Sequence, residues 1–212
     1  MADPIQVIIR SPNFQNQPTS ASGNEKSEIL VAQGLPPYAE MTRKGNGWSV
    51  MSVLAVAGLV VRPSTVAALE IWNGYATGGK SLIITRLFWF NLVSAQVAQG
   101  FSGWAAVAAA KAAPAAGANV TTRGASGKGY GGPVIAGLGT TVIDSGWFPW
   151  AIGSTKAIEA TVTPNGGAIG ADVAGQLIIP PQCALCMHAV AQTTASTFTQ
   201  GASWYEEQIT VE

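Results

Sequence analysis

The sequence predicts an all-β protein, folded as a sandwich or a barrel. Two observations support this class: apolar segments of strand length recur from Trp48 onward, and turn signals such as "NGYATGGK", "PNGG" and "IPPQ" separate them. Residues 1–47 differ, because they are rich in Pro, Asn, Gln and Ser and keep no helical or strand period. We therefore expect an extended N-terminal arm at 1–47 and a β-sandwich domain at 48–212.

The arm has only short apolar pieces, so we expect it to be ordered mainly by the surface on which it lies, and it could contribute one strand. The same composition also allows the alternative that residues 1–47 are a flexible tail. The residues expected to contact a partner surface are the apolar and aromatic ones, Ile5, Val7, Ile9, Phe14 and Tyr38.

Ten strands are expected in the domain. They cover residues 48–57, 59–61, 67–72, 81–92, 103–109, 140–148, 157–162, 174–179, 184–192 and 197–206. Alternation is clearest in the last strand, where Phe198 and Trp204 fall on one face. A short helix competes only in the alanine-rich residues 103–120, but Pro114 and Gly117 would break it, so we expect a strand that runs into a loop.

The fourth predicted strand, within "GKSLIITRLFWFNLVS", is apolar on both faces. Leu87, Phe88, Trp89 and Phe90 occupy successive positions, so both faces of the strand must be covered. The sandwich core covers one face, and we expect a neighbouring subunit to cover the other, with a loop of the same chain as the alternative. These four residues, together with Trp204, are the candidate oligomer interface.

The charge content separates this chain from an ordinary soluble monomer. Its eleven basic and eleven acidic residues make up 10% of the sequence, against roughly a quarter in a typical domain. Spread over the roughly 9,000 Å² of a compact monomer, this is about one charge per 400 Å². Such a surface favours burial against copies of the same chain or against a larger assembly. The balanced signs give no reason to expect a nucleic-acid partner.

The most apolar stretch is too short to cross a membrane. It covers residues 53–61, about half of the roughly 20 residues that a spanning helix needs, and Arg62 and Pro63 end it. The first residues, "MADPIQVIIRSPNF", lack the basic, apolar and small-residue regions of a secretory signal. We therefore expect neither a membrane partner nor export by the general pathway.

Cys183 and Cys186 form a C-x-x-C pair without the context of a redox or zinc site. On the predicted strand, residues three apart point to opposite faces, so the two sulfurs diverge. His188 shares a face with Cys186, but it is the only histidine, and a zinc site needs about four ligands. We expect inert thiols, no metal and no cofactor, with a metal on an oligomer axis as the open alternative.

The sequence contains few groups of residues that suit catalysis. The glycine-rich "GASGKGYGG" lacks the spacing and the following helix of a phosphate-binding loop, and one histidine leaves few ways to activate a nucleophile. Asp144, Glu159 and Asp172 are scattered along the chain. Glu206 and Glu207 fall on opposite faces of the last strand. The chain is therefore predicted not to be an enzyme.

Three aromatic rings in "DSGWFPW" are a candidate sugar-binding platform: Trp147, Phe148 and Trp150. Aromatic rings that accompany exposed polar loops can stack on sugars. Packing in the core or at an interface is the competing interpretation, because no polar cluster accompanies these rings to orient a ligand.

Two long segments resemble the β-sandwich structural proteins of tailed bacteriophages, especially the auxiliary capsid proteins that cement or decorate heads. The resemblance rests on a strand ending in "IWNG", a Gly-Gly-Lys turn into an apolar strand, a "LIIPP" strand entry and a last strand ending in "WYEE". It covers residues 59–206 and implies a jelly-roll-like antiparallel sandwich that is often trimeric and has no catalytic residues. Residues 1–47 match nothing in that family.

The resulting expectation is a non-enzymatic virion protein that oligomerises on a phage capsid, as a trimer by the resemblance, and cements or decorates the shell. Its partners would be copies of itself and the major capsid protein, which the arm would bind. It would be made in the cytoplasm of the host bacterium and reside on the capsid surface. The alternative is a receptor-binding module of a head fibre or tail that recognises host glycans through Trp147, Phe148 and Trp150.

Overall fold

The chain is built mainly of β-strands, in a computed structural model that describes residues 8–9, 19–20, 39–52, 54–93, 99–109, 113–114, 120–124, 127–138, 146–154 and 167–209. Contacts divide it into two units, Met1–Pro36 and Pro37–Glu212. In the first unit, β1 (Ile8–Ile9) pairs antiparallel with β2 (Thr19–Ser20). The second unit contains two antiparallel sheets packed together. The predicted all-β sandwich is therefore confirmed.

The second unit begins with a short helix, α1 (Ala39–Arg43), which the sequence did not predict. The described strands that follow are β3 (Gly47–Ser52), β4 (Val56–Ala57), β5 (Leu69–Trp72), β6 (Ser81–Val93), β7 (Gly100–Ala108), β8 (Val120–Gly124), β9 (Ile135–Gly137), β10 (Phe148–Ser154), β11 (Ala168–Ile179), β12 (Ala184–Ala191) and β13 (Thr197–Glu207). The bounds of β6, β12 and β13 agree with the predicted strands to within one residue. The strand predicted at 157–162 lies outside the described residues.

The strands form a five-stranded sheet in the order β10-β7-β12-β5-β9 and a six-stranded sheet in the order β11-β6-β13-β3-β8, with β4 beside β13. Four strands of the first half pair with four of the second half in nested order: β3 with β13, β5 with β12, β6 with β11, and β7 with β10. Consecutive members of this nested set belong to opposite sheets, so the chain crosses from one sheet to the other at each step.

The main core lies between the two sheets and is formed by alternate residues of each strand, whose side chains share one face. Leu87 and Trp89 of β6 are fully buried there. The indole N–H of Trp89 donates to the carbonyl oxygen of His188 in β12, at 3.1 Å, and so joins the six-stranded sheet to the five-stranded sheet. The indole ring lies against Gly103 of β7, where an added side chain would collide with it. Trp89 therefore contacts two neighbouring strands of the opposite sheet, β7 and β12, through the middle of the core.

A smaller apolar cluster covers part of the outer face of the five-stranded sheet, and we call it the outer cluster. Its buried members are Ala67, Ala106, Ala108, Trp147, Ala184 and Cys186. The indole N–H of Trp147 donates to the carbonyl oxygen of Ser64 at 2.9 Å. Because Ser64 precedes β5, this bond helps to hold the segment before β5 against the outside of the sheet.

Both outermost strands on one side of the sandwich are irregular. The register of β10 with β7 shifts between Pro149 and Ala151. The register of β11 with β6 shifts within residues 172–177, where Ala174 and Gly175 have positive φ angles of 49° and 84°. Proline and bulges on edge strands hinder pairing with a further strand. These two edges are therefore poor templates for adding a strand from another chain.

Candidate functional site

The predicted interface residues separate onto opposite faces of their strands. Three of them are core residues of the single chain, with exposed fractions of 0%, 0% and 2%: Leu87, Trp89 and Trp204. Phe88 and Phe90 are half-buried on the outer face of the six-stranded sheet. The Phe88 ring lies close to Gly201, its partner position in β13. Of the five residues, only the two phenylalanines offer surface to a second copy.

The predicted contact residues of the arm lie mostly beyond what the structure describes. Ile9 is in β1, opposite Thr19 of β2. The other four are outside the described residues: Ile5, Val7, Phe14 and Tyr38. The expectation that the arm binds a partner stays a prediction.

The three aromatic residues of the predicted sugar platform do not share one open surface. Trp147 is 3% exposed in the outer cluster, and its N–H group is bonded to Ser64. Trp150 is half-buried against the main core. Phe148 is 63% exposed. Of the three, Phe148 is therefore the ring with most of its surface free for a ligand.

Cys183 and Cys186 face different clusters, as the strand geometry predicted. Cys183 is half-buried against the main core, whereas Cys186 is fully buried in the outer cluster, and no disulfide joins them. Within the part of the chain that the structure describes, no group of three or more His, Cys, Asp or Glu side chains is placed to hold a metal ion.

His188 is a buried imidazole on β12, 3% exposed. Its Nδ1 lies 3.0 Å from the carbonyl oxygen of Ala189, which can only accept, so the ring is the tautomer with a proton on Nδ1. Burial lowers the pKa of His188 below its ordinary value, and the hydrogen bond to Ala189 partly opposes that change. The folded chain therefore keeps this imidazole neutral at pH values where the unfolded chain protonates it.

We expect the buried imidazole to make the fold sensitive to mild acid. Below about pH 6.5 the unfolded chain binds a proton at His188 that the folded chain does not, so the free energy of unfolding falls as the pH falls. One such group gives a slope of at most about 1.4 kcal/mol per pH unit. Urea unfolding of the wild type and of His188→Gln, between pH 7.5 and 5, measures how the free energy of unfolding depends on pH in each protein. Equal slopes for the two proteins would contradict the prediction, whatever their absolute stabilities.

A buried carboxylate with polar partners lies at one end of the sandwich. Glu206 of β13 is 4% exposed, and its Oε2 and Oε1 accept hydrogen bonds from the hydroxyls of Tyr75 and Tyr130, each at 2.8 Å. Lys80 Nζ lies 3.9 Å from Oε2. The Tyr130 hydroxyl accepts the backbone N–H of Val134 at 3.1 Å. We call Tyr75, Lys80, Tyr130 and Glu206 the Glu206 cluster.

The Glu206 cluster joins two connections that cross between the sheets. Tyr75 and Lys80 belong to the connection from β5 to β6, and Tyr130 belongs to the connection from β8 to β9. Asn73 orders the first connection, since its side-chain amide donates to the carbonyl oxygens of Lys80 and Ile179, each at 2.9 Å. The cluster therefore fastens both connections to the central strand of the six-stranded sheet.

The two tyrosines hold their protons more tightly than an exposed tyrosine does. Burial raises the pKa of Tyr75 to about 12, and the hydrogen bond and negative charge of Glu206 add to that effect. Burial also raises the pKa of Tyr130, with Glu206 acting in the same direction and the Val134 N–H acting against it. Both hydroxyls are therefore donors at neutral pH, and neither is an acid of useful strength. The arrangement is suited to holding the fold rather than to proton transfer.

The sequence pattern predicts the burial of Glu206 but not the identity of its partners. Alternation in β13 places Glu206 on the same face as Trp204, so a carboxylate had to be buried and find partners. The prediction that Glu206 and Glu207 lie on opposite faces is confirmed, since Glu207 is exposed. Tyr75 and Tyr130 could not be found in the same way, because both lie in connections 131 and 76 residues from Glu206, where strand period gives no information.

A cleft of about 550 Å³ lies beside the connection from β5 to β6. Its lining residues are Thr77, Gly78, Gly79, Ser81, Pro180, Pro181, Gln208 and Ile209. Gln208 Nε2 donates to the carbonyl oxygen of Gly78 at 2.9 Å. Among the described residues, the lining offers hydroxyl, amide and backbone groups and no ionisable side chain.

Comparison with known proteins adds no relative: the chain matches no protein-family model, no curated protein and no solved structure. Over the described ranges, none of the helices has the length and apolar character that crossing a membrane requires.

Proposed function

We propose that this chain is a non-enzymatic structural protein of a virion, which self-associates on the surface of a tailed-phage capsid and cements or decorates the shell. The resemblance implies a trimer. In this proposal the N-terminal arm binds the major capsid protein, while the sandwich carries the contacts between copies. The protein is made in the bacterial cytoplasm and resides on the capsid.

The nested strand order is the observation that carries the proposal. A jelly roll is an eight-stranded double sheet with two Greek keys, and it is used by viral capsid proteins, lectins and cupins. The pairing of β3 with β13, β5 with β12, β6 with β11 and β7 with β10 is the order that this winding produces. On this interpretation β4, β8 and β9 are additions to the eight strands.

The distribution of apolar surface supports self-association. Large hydrophobic side chains with exposed fractions of 41% to 82% occur on both sheets and on the segments between strands. Their positions are Met51, Leu54, Val60, Val61, Val66, Val93, Phe148 and Ile152. Only 10% of the residues in the sequence are charged, so the surface that surrounds these side chains is sparsely charged on average. A protein of an assembly buries such residues against other subunits.

Co-sedimentation with empty heads of a phage that carries this gene tests the proposal. We expect the full chain to sediment with heads and to saturate at a fixed number of copies per shell. Replacing Ile5, Val7 and Phe14 together by Ser should abolish binding without changing the solution mass. Replacing Met51 and Val93 by Ser is the matched control, and it should leave binding intact.

The same protein preparation can distinguish the capsid protein from the alternative function, a receptor-binding module. Binding to a glycan array, without binding to heads, would favour the receptor-binding module over the capsid protein. Phe148→Ala would then be the informative variant, because that ring is the most exposed of the three in the predicted platform. A chain that binds neither heads nor glycans would contradict both proposals.

A further inference from the structure

The cleft beside the connection from β5 to β6 has the size of a small-molecule site. Its volume of about 550 Å³ lies within the roughly 300–1,000 Å³ of ordinary ligand pockets. Three parts of the chain form it: residues 77–79 with the first residue of β6, the two prolines that follow β11, and residues 208–209 after β13. These parts are far apart in the sequence, so the cleft exists only in the folded chain.

Hydrogen bonds fix the walls of the cleft to one another. Asn73, at the start of the connection, donates to the carbonyl oxygen that ends β11, at 2.9 Å. Gln182, in the turn after the two prolines, donates from Nε2 to the carbonyl oxygen of Tyr75 at 2.8 Å. Gln208 donates to the carbonyl oxygen of Gly78 at 2.9 Å. A ligand that enters the cleft therefore meets walls that are already ordered, which keeps the entropic cost of binding low.

The polar groups at the cleft are hydrogen-bonding groups that suit hydroxyls. Ser81 lines the cleft and is 0% exposed, and its hydroxyl has no hydrogen-bond partner within the described chain. Buried hydroxyls without a partner are uncommon, so the fold leaves a position here that a bound molecule can satisfy. Glu207 lies directly opposite Ser81 in the pairing of β13 with β6, so its exposed carboxylate is on the same face, beside the cleft. Thr77 adds an exposed hydroxyl.

The rest of the lining is apolar and saturated. Pro180, Pro181 and Ile209 are half-buried and supply aliphatic C–H surface. The lining residues that the structure describes include no aromatic ring on which a flat ligand would stack and no basic side chain that would hold an anion. Lys80 lies between two lining residues in the sequence, but its Nζ is 3.9 Å from Oε2 of Glu206. The lining therefore disfavours aromatic and anionic ligands.

From these observations we infer that the cleft binds an uncharged, hydroxyl-rich ligand, a unit of a neutral saccharide. The C–H face of the sugar ring packs on the two prolines and Ile209, while its hydroxyl groups bond to Thr77, Ser81 and the Glu207 carboxylate. A carboxylate accepts from two neighbouring hydroxyls through its two oxygens, and its charge repels acidic sugars. The site goes beyond the proposed function, since cementing a shell requires no saccharide, and it uses none of the three aromatic residues of the predicted sugar platform.

An array of neutral, sialylated and sulfated oligosaccharides, probed with the full-length chain, tests this site. We expect binding to neutral oligosaccharides, and calorimetric titration with the free form of the strongest neutral one then gives Kd. Glu207→Ala should weaken binding at least about tenfold, because it removes a charged hydrogen-bond acceptor. Thr77→Val should weaken it about threefold. Both positions are exposed, so folding should be unaffected.

Two matched controls locate the binding. Asp172→Ala removes another carboxylate from the six-stranded sheet, 85% exposed and paired with Arg86 away from the cleft, and it should keep the wild-type Kd. Phe148→Ala removes the exposed ring of the predicted sugar platform, and it should keep the wild-type Kd as well. Wild-type affinity in both controls, together with the loss in Glu207→Ala, supports the cleft as the saccharide site.

The contrary outcomes are distinct from failure of the proposed function. Loss of saccharide binding in Phe148→Ala but not in Glu207→Ala overturns the inference, and so do equal losses in Glu207→Ala and Asp172→Ala. A wild type that prefers acidic oligosaccharides, or binds none, overturns it too. Co-sedimentation with heads is measured separately: a chain that binds heads and no saccharide keeps the capsid role and loses the cleft site. A chain that binds neutral saccharides through Glu207 and no heads keeps the site and loses the capsid role.

Discussion

Replacing Trp89 by Ala is expected to destabilise the fold by about 3–5 kcal/mol, the usual cost of removing a fully buried tryptophan. The ring fills the space between the sheets, packs against Gly103 and donates a hydrogen bond to the carbonyl oxygen of His188. The variant therefore loses packing and the hydrogen bond that joins the two sheets. For a chain of this length the melting temperature should fall by roughly 10 °C, measured by calorimetry or by circular dichroism.

Two control variants separate the contribution of the hydrogen bond from that of ring packing, and a buried ring from an exposed one. Trp89→Phe keeps an aromatic ring and removes the N–H donor, so its stability should lie between the wild type and the alanine variant. Phe148→Ala removes another large aromatic ring, 63% exposed, and should change stability by less than about 0.5 kcal/mol. If Trp89→Ala melted together with Phe148→Ala, the assignment of Trp89 to the middle of the core would be wrong.

Replacing Glu206 by Ala is expected to cost roughly 3 kcal/mol. The carboxylate accepts hydrogen bonds of 2.8 Å from Tyr75 and Tyr130, and hydrogen bonds to a charged group contribute about 1.5–3 kcal/mol each. The chain provides a matched control in Glu207, the next residue, whose side chain is exposed on the opposite face. Glu207→Ala should stay within about 0.5 kcal/mol of the wild type in urea unfolding. Equal losses for the two variants would contradict the clamping role of the Glu206 cluster.

The Glu206 cluster should also make the stability of the fold decrease at alkaline pH. Unfolded tyrosines ionise near pH 10, whereas Tyr75 in the folded chain ionises near 12, so folding is progressively disfavoured as the pH rises from 10 towards 12. Glu206→Gln removes the negative charge that helps to raise both tyrosine pKa values, and its stability should fall less steeply over that range. Tyrosinate absorbance, recorded during a pH titration of the folded protein, should also appear at lower pH in the variant.

Strands that pack on both faces could be predicted from the sequence, whereas short edge strands could not. The bounds of β6, β12 and β13 followed from long apolar or alternating segments. β8 and β9 were missed because they are short and lie in residues rich in glycine and threonine. Most of the strand predicted at 140–148 lies outside the described residues, and Phe148 begins β10, which continues through Pro149 because an edge strand tolerates proline.

The faces of β6 show why the site was harder to predict than the fold. Four consecutive apolar residues were interpreted as one interface, but alternation divides them between the core and the outer face. Gly201, opposite Phe88, leaves room for that ring to lie against β13, so the outer face is partly covered by the same sheet.

The nested pairing of strands also affects how the protein must be made. β13 lies between β6 and β3 and pairs with β4 as well, yet it is the last described strand to be synthesised. Until it leaves the ribosome, β3 and β6 have no neighbour on that side, and the apolar edge of β6 stays open. Contacts this distant in sequence are slow to form, because a long loop must close before they contribute. The nascent chain therefore passes through a stage at which the unpaired edge of β6 is open to aggregation.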